Sequence, residues 1–120
     1  GAWYEIMSVM SGDDDAAVAA RTQMATASGT DLAGYDAQLA STKMFFEAAD
    51  AVAFAKSPAL PETMKNVAGF SFDHGLLGEG APDAGFIGIG FPGGRSIGAS
   101  GNVKLRFDDT YMSMAADGKL

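Results

Sequence analysis

The chain has 120 residues, 48% of them hydrophobic, enough for one modest core of ordinary domain size. Its 15 acidic against 8 basic residues leave a net charge of −7, which opposes phosphate backbones and anionic membrane surfaces and argues against nucleic acid as a partner. No run of about 18 apolar residues is available to cross a membrane, and the absence of cysteine removes disulfides, thiolate metal sites and Cys nucleophiles.

Residues 3–10, WYEIMSVM, put Trp3, Ile6, Met7 and Met10 on one face at helical spacing and predict a helix over about 3–11 packed into a core. Gly1-Ala2-Trp3-Tyr4 has no basic and then apolar leader before it, reads as the middle of an element, and predicts an upstream portion. Ser11-Gly12 breaks this helix. Asp13, Asp14 and Asp15 then open an Ala-rich helix over about 13–28, where acidic residues complement the helix dipole. Thr30 and Asp31 predict the cap of a helix over about 31–40 that carries Leu32, Tyr35 and Leu39.

STKMFF, residues 41–46, reads as a short strand or an extended link, followed by an Ala-rich helix over about 46–56 that closes at Ser57-Pro58. Pro61 fits the first turn of a helix over about 61–74, with Met64, Val67, Ala68 and Phe72 as its apolar stripe and Gly75 as its stop. Residues 75–102 are glycine-rich and contain Pro82 and Pro92, which predicts loops with one short strand near FIGIGF. In NVKLRF, Val103, Leu105 and Phe107 alternate with Lys104 and Arg106, a half-buried strand or extended arm. Asp108 or Asp109 caps a last helix over about 108–117, ending at Gly118.

Few groups point to chemistry. His74, the only histidine, stands at a helix end before Gly75, where it can serve the terminal carbonyls; the chain offers no second His, no Cys and no HExxH spacing to make it catalytic or metal-binding. Gly88-Ile89-Gly90-Phe91-Pro92-Gly93 matches GxGxxG literally. That fingerprint delivers a pyrophosphate to the N-terminus of an immediately following helix, and Pro92, Gly94 and the polar RSIGASGN stretch predict a loop instead. Asp13, Asp14 and Asp15 lack the DxDxDG pattern of a Ca²⁺ loop and read as solvated capping charge. Trp3, Tyr35, Phe45, Phe46 and Phe72 read as core rather than as a ligand platform. Lys43 and Arg106 are the two cations to test as anion anchors, against the plainer reading of surface charge.

FSFDHGLLGEGAPDAGFIGIGFPGG and NVKLRFDDTYMSMAADGKL, with GAWYEIMSVM, ASGTDLAGYDAQLASTKMFF and AVAFAKSPALPETMK upstream, resemble the C-terminal part of solute-binding proteins of ABC importers. The group concerned serves nitrate, sulfonate, taurine and urea-type solutes, and the resemblance covers nearly the whole chain. It implies two α/β lobes joined by crossover strands, a ligand clamped between them, delivery to a membrane permease, and a periplasmic or extracytoplasmic location. It implies no catalysis and no cofactor. A chain of 120 residues is too short for two lobes, so the implied fold is α/β and helix-rich: the C-terminal part of lobe 1 of a type II periplasmic-binding-protein fold, with few strands of its own. FPGGRSIGASGN departs from the family's usual turn at that place. Family ligand contacts come mainly from cleft edges; within this chain the extended segment Thr42, Lys43, Met44 and Phe45 is the candidate, since loops at strand ends line such clefts.

Two other expectations stand beside this one. Thiamine-pyrimidine-synthase-like enzymes share the two-lobed fold, and that activity would require a reactive His74 in a cleft. Alternatively the chain is a non-catalytic interaction fragment that self-associates through the Met-rich faces of WYEIMSVM and TYMSMAAD.

Overall fold

Helix ends in the computed structural model, which describes residues 1–120, coincide with short-range hydrogen bonds written into the local sequence. The helices are α1 (Ala2–Met10), α2 (Asp15–Ala27), α3 (Leu32–Ser41), α4 (Ala48–Lys56), α5 (Leu60–Asp73) and α6 (Thr110–Ala116). The strands are β1 (Gly88–Gly90), β2 (Ser96–Ile97) and β3 (Val103–Arg106). The chain is therefore α/β and helix-rich, with one small sheet. Of STKMFF, Ser41 still belongs to α3, Thr42 leaves it with extended backbone, and residues 42–47 form no strand between α3 and α4.

Asp14 caps α2 by accepting from the Ala17 N–H at 2.9 Å, and Asp31 caps α3 by accepting from the Gly34 N–H at 2.8 Å. Both carboxylates satisfy N–H groups that have no partner inside the helix. Three helices stop by one device. After α5, Gly75 takes φ +70°, its N–H donates to the Phe72 carbonyl at 3.0 Å, and the Leu76 N–H reaches back to Ser71 at 2.8 Å. Gly29 after α2 and Gly118 after α6 repeat the pattern, with Thr30 bonded to Ala25 and Lys119 to Met114. This Schellman arrangement requires a left-handed residue, which glycine adopts without a Cβ penalty.

The chain divides into two compact units, Gly1–Ala51 with Met112–Leu120, and Val52–Tyr111. In the first, α2 packs against both α1 and α3. Buried Ala17 and Ala25 allow close approach, and Met7 and Met10 of α1 fill the interior. Arg21 of α2 joins the three helices. Its Nη1 donates to the carbonyls of Met10 and Gly12 at 2.7 Å each, and its Nε pairs with Asp36 of α3 at 3.0 Å. The first of these bonds satisfies a carbonyl in the last turn of α1, where the helix itself provides no donor.

Packing corrects part of the expected core. Trp3 and Ile6 are 60% and 51% exposed, although they share the predicted face with buried Met7 and Met10. The apolar stripe of α1 is broader than the neighbour that covers it. Tyr35, Phe45 and Phe46 are half-buried and Phe72 is exposed, so none of the aromatics expected in the core is fully enclosed.

In the second unit the sheet order is β2-β1-β3, with β1 antiparallel to β2 and parallel to β3. Leu60 of α5 is buried with Ile89 and Phe91, and Met64, Ile97 and Phe107 pack against them. The buried edge of α5 therefore runs through Leu60 and Met64. Val67 and Phe72 of the predicted stripe face solvent. Between β2 and β3, Gly98 has φ +70° and lies so close to the Ile87 carbonyl that a Cβ would collide with it. The side-chain amide of Asn102 fastens the same region by donating to the Phe86 carbonyl at 2.8 Å.

Candidate functional site

The sheet of the second unit separates an apolar side from a polar one, and the register dictates the division. Ile97, Ile89 and Leu105 are laterally paired and share one face; Ser96, Gly90 and Arg106 are paired in the next row and share the other. The first row belongs to the side that meets α5, with Ile89 buried and Ile97 packed against the core. The second row opens to solvent.

At the centre of that open row Gly90 contributes no side chain. The space is used by the aliphatic stem of Arg106, whose Cγ lies 3.5 Å from the position a Cβ on Gly90 would take. The hairpin closes where the Phe91 N–H donates to the Arg95 carbonyl at 2.8 Å, and Pro92–Gly94 form its tip. On the other side the Phe107 N–H donates to the Gly90 carbonyl at 2.9 Å, which stacks the Phe91 and Phe107 rings nearly parallel with centroids 5.5 Å apart. The result is an open depression of about 450 Å³ whose lining includes Gly90, Arg95, Ser96, Arg106, Asp108 and Asp109.

The charges in this depression are unevenly committed. Asp109 pairs with Lys56 at 2.9 Å. Asp108 accepts from the Thr110 N–H at 2.8 Å, and the hydrogen bonds from the Thr110 side chain and backbone hold its carboxyl below the usual aspartate range. The guanidinium groups of Arg95 and Arg106 and the Ser96 hydroxyl have no hydrogen-bond or ion-pair partner in the chain. By the alternation of β2, Arg95, paired with Phe91, stands on the opposite side of the sheet from Ser96 and Arg106. Of the two carboxylates only Asp109 is neutralised by a cation, since Thr110 bonds to Asp108 without cancelling its charge.

The other sequence candidates lie elsewhere and do local work. Thr42 ends α3, with its hydroxyl donating to the Gln38 carbonyl at 2.8 Å. Lys43 is exposed and sits 5.6 Å over the Phe45 ring, a cation–π contact, while Met44 and Phe45 are half-buried. Apart from this Lys43–Phe45 contact, the four residues are brought together only as consecutive positions in the link. His74 caps α5, its Nδ1 2.8 Å from the Phe70 carbonyl and its ring stacked on Phe70 at 4.0 Å. The GxGxxG segment leads from β1 into the hairpin tip, and β2 follows it, so no helix is present to receive a pyrophosphate. Asp14 of the acidic triplet is spent as a cap, and no group of three or more His, Cys, Asp or Glu side chains is placed to hold a metal ion. No helix is long and apolar enough to cross a membrane.

Arg106 is thus the one cation flagged from sequence that the fold brings into a shared site. Ser96 went unrecognised because its link to Arg106 is the register of three strands, which no local pattern announces. Comparisons with protein-family profiles, curated proteins and solved structures find no match to this chain.

Proposed function

We propose that this chain is the C-terminal portion of the solute-binding component of an ABC importer, which captures a small polar nitrogen- or sulfur-containing solute and delivers it to a membrane permease without chemical change. The reading rests on the ordered resemblance along nearly the whole chain. In it, the helices and the small sheet complete the first lobe of a two-lobed, extracytoplasmic protein. Unpartnered Arg106 beside one depression is compatible with anionic members of the solute class, nitrate and sulfonates among them.

The test begins with the natural product, whose coding sequence upstream of Gly1 and intact mass are expected to reveal a further lobe with an export signal. On that product, nitrate, taurine, an alkylsulfonate and urea are then compared by thermal unfolding. One class should raise Tm saturably, by the equivalent of about 2.7 kcal/mol at a hundredfold excess over Kd, and be recovered unchanged. A natural chain starting at Gly1, no saturating solute, or conversion of the bound solute would overturn the proposal.

A second reading, self-association, is favoured by one observation. Exposed Ile6 and Val9 of α1 line an open apolar depression with Ala20 and Met24, close in sequence to exposed Trp3. Sedimentation of this chain as a monomer across a wide concentration range would end that reading.

A further inference from the structure

We propose that the apolar groove between α1 and α2 is a docking site for a basic amphipathic helix of a partner protein. Ile6 and Val9 lie one turn apart on α1, and Ala20 and Met24 one turn apart on α2, so each pair is adjacent on its helix surface. The two helices pack on each other, and these side chains with Glu5 and Gln23 line a depression of about 410 Å³. Ala20 offers only a methyl group, whereas Ile6, Val9 and Met24 remain 51%, 49% and 37% exposed. Two parallel rows of apolar side chains with a shallow line between them are what the ridge of a third helix fills. The nine residues of α1 span about 14 Å, room for anchors at i, i+3 or i+4, and i+7 of the incoming helix.

Charge decides the occupant. The compact unit that contains the groove, Gly1–Ala51 with Met112–Leu120, holds nine acidic and three basic side chains, which is −6 of the chain's −7. Two of those cations are already engaged, Arg21 with Asp36 and Lys119 with Asp117, and Lys43 lies over the Phe45 ring. Glu5 lines the groove and, with Glu47, also lines the next depression along α1; neither carboxylate has an ion-pair partner. No cation lines the groove. A second copy, the occupant in the self-association reading, would set −6 against −6, and like charges brought together oppose association. A helix with Lys or Arg beside an apolar stripe satisfies both the floor and the acidic flank. The site does not depend on the importer reading, since the groove and its charge belong to this unit whatever the full protein does.

Trp3, the only tryptophan, reports on the groove: it is 60% exposed and stands one helical turn before Ile6. The probe is a tryptophan-free helical peptide with a leucine stripe flanked by lysines, titrated into the 120-residue chain while Trp3 emission is followed. A saturable blue shift is expected, with an affinity that falls several-fold between about 0.05 and 0.5 M salt. The same peptide with glutamate for every lysine should bind at least about tenfold more weakly. A scrambled peptide of equal composition, lacking the stripe, should not saturate. Ile6→Ser and Met24→Ser should each weaken binding by about tenfold, while Leu76→Ser, an exposed apolar residue of the other unit, should change it less than about twofold. All three side chains are exposed, so the variants retain the fold, which circular dichroism verifies. No saturation, equal affinity for the acidic peptide, or unchanged affinity in both groove variants would overturn the site. A blue shift that grows with protein concentration alone, together with dimers in sedimentation, would give the groove to a second copy and overturn it as well. A solute panel without hits alongside saturable peptide binding would count against the importer and leave the docking groove standing.

Discussion

Replacing Gly98 by alanine, with Gly93→Ala as its control, separates two costs that glycine conceals. Both residues hold positive φ, +70° at Gly98 and +78° at Gly93, so alanine at either site incurs the left-handed penalty of about 1–2 kcal/mol. At Gly93 a Cβ meets nothing within 4 Å. At Gly98 it collides with the Ile87 carbonyl oxygen and lies 3.0 Å from that of Gly85. These backbone atoms are held in place, because the Ala99 N–H donates to the Gly85 carbonyl at 2.8 Å and Ile97 is paired with Ile89. Relief therefore means parting the end of β2 from residues 85–87, an overpacking cost of about 1–3 kcal/mol. The sums are about 1–2 kcal/mol for Gly93→Ala and about 2–5 kcal/mol for Gly98→Ala. Against a total stability of about 5–15 kcal/mol the difference is resolvable. Urea unfolding followed by far-UV circular dichroism measures both, and an unchanged m-value shows that the midpoints report stability alone. Equal losses at the two glycines would refute the close-approach argument.

Asp14→Ala removes the acceptor of the Ala17 N–H and should destabilise by about 1 kcal/mol, read from the same denaturation curves. Arg21→Met strips donors from the Met10 and Gly12 carbonyls and should lose about 2–3 kcal/mol. Asp36→Asn, at a side chain 45% exposed, should lose less than about 1 kcal/mol, and a reversed ranking would show that the ion pair rather than the carbonyl bonds secures Arg21. Asp108 titrates below the ordinary aspartate range in the folded chain, because Thr110 bonds to its ionised form. Its contribution is therefore present above the unfolded-chain pKa and is lost as pH falls through the lower folded value, below about pH 4. A carboxyl-carbon NMR titration of Asp108 should show that low midpoint, and Thr110→Ala should raise it.

Legibility from sequence followed the range of the interaction. Asp14, Asp31, Gly29, Gly75 and Gly118 act on backbone groups within a few positions of themselves, so the helix limits could be read almost directly. Helix faces were less readable. The spacing of Trp3, Ile6, Met7 and Met10 announces an apolar stripe, but which part of it is covered depends on α2, and only the two methionines are buried. In α5 the same limit moved the buried edge from Val67 and Phe72 toward Leu60 and Met64. Arg21 attracted no notice because its partners lie in α1, in the turn after it and in α3, outside its own helix. β2, two residues inside the polar RSIGASGN stretch, has too little periodicity to register at all. The open sheet face depended on that strand, so half of the candidate site was hidden with it.

All three strands lie between Gly88 and Arg106, and this short span has a kinetic consequence. Closing short loops costs little chain entropy, and a local hairpin forms in about 1–10 μs. Leu60, by contrast, meets Ile89 and Phe91 only across the rest of α5 and the loop of residues 74–87. The β1–β2 hairpin can thus nucleate ahead of its helical cover, bringing Gly90 and Ser96 into line early. Stopped-flow refolding should register this order: substitutions at the hairpin neck would slow folding, while Leu60→Ala would act mainly by hastening unfolding.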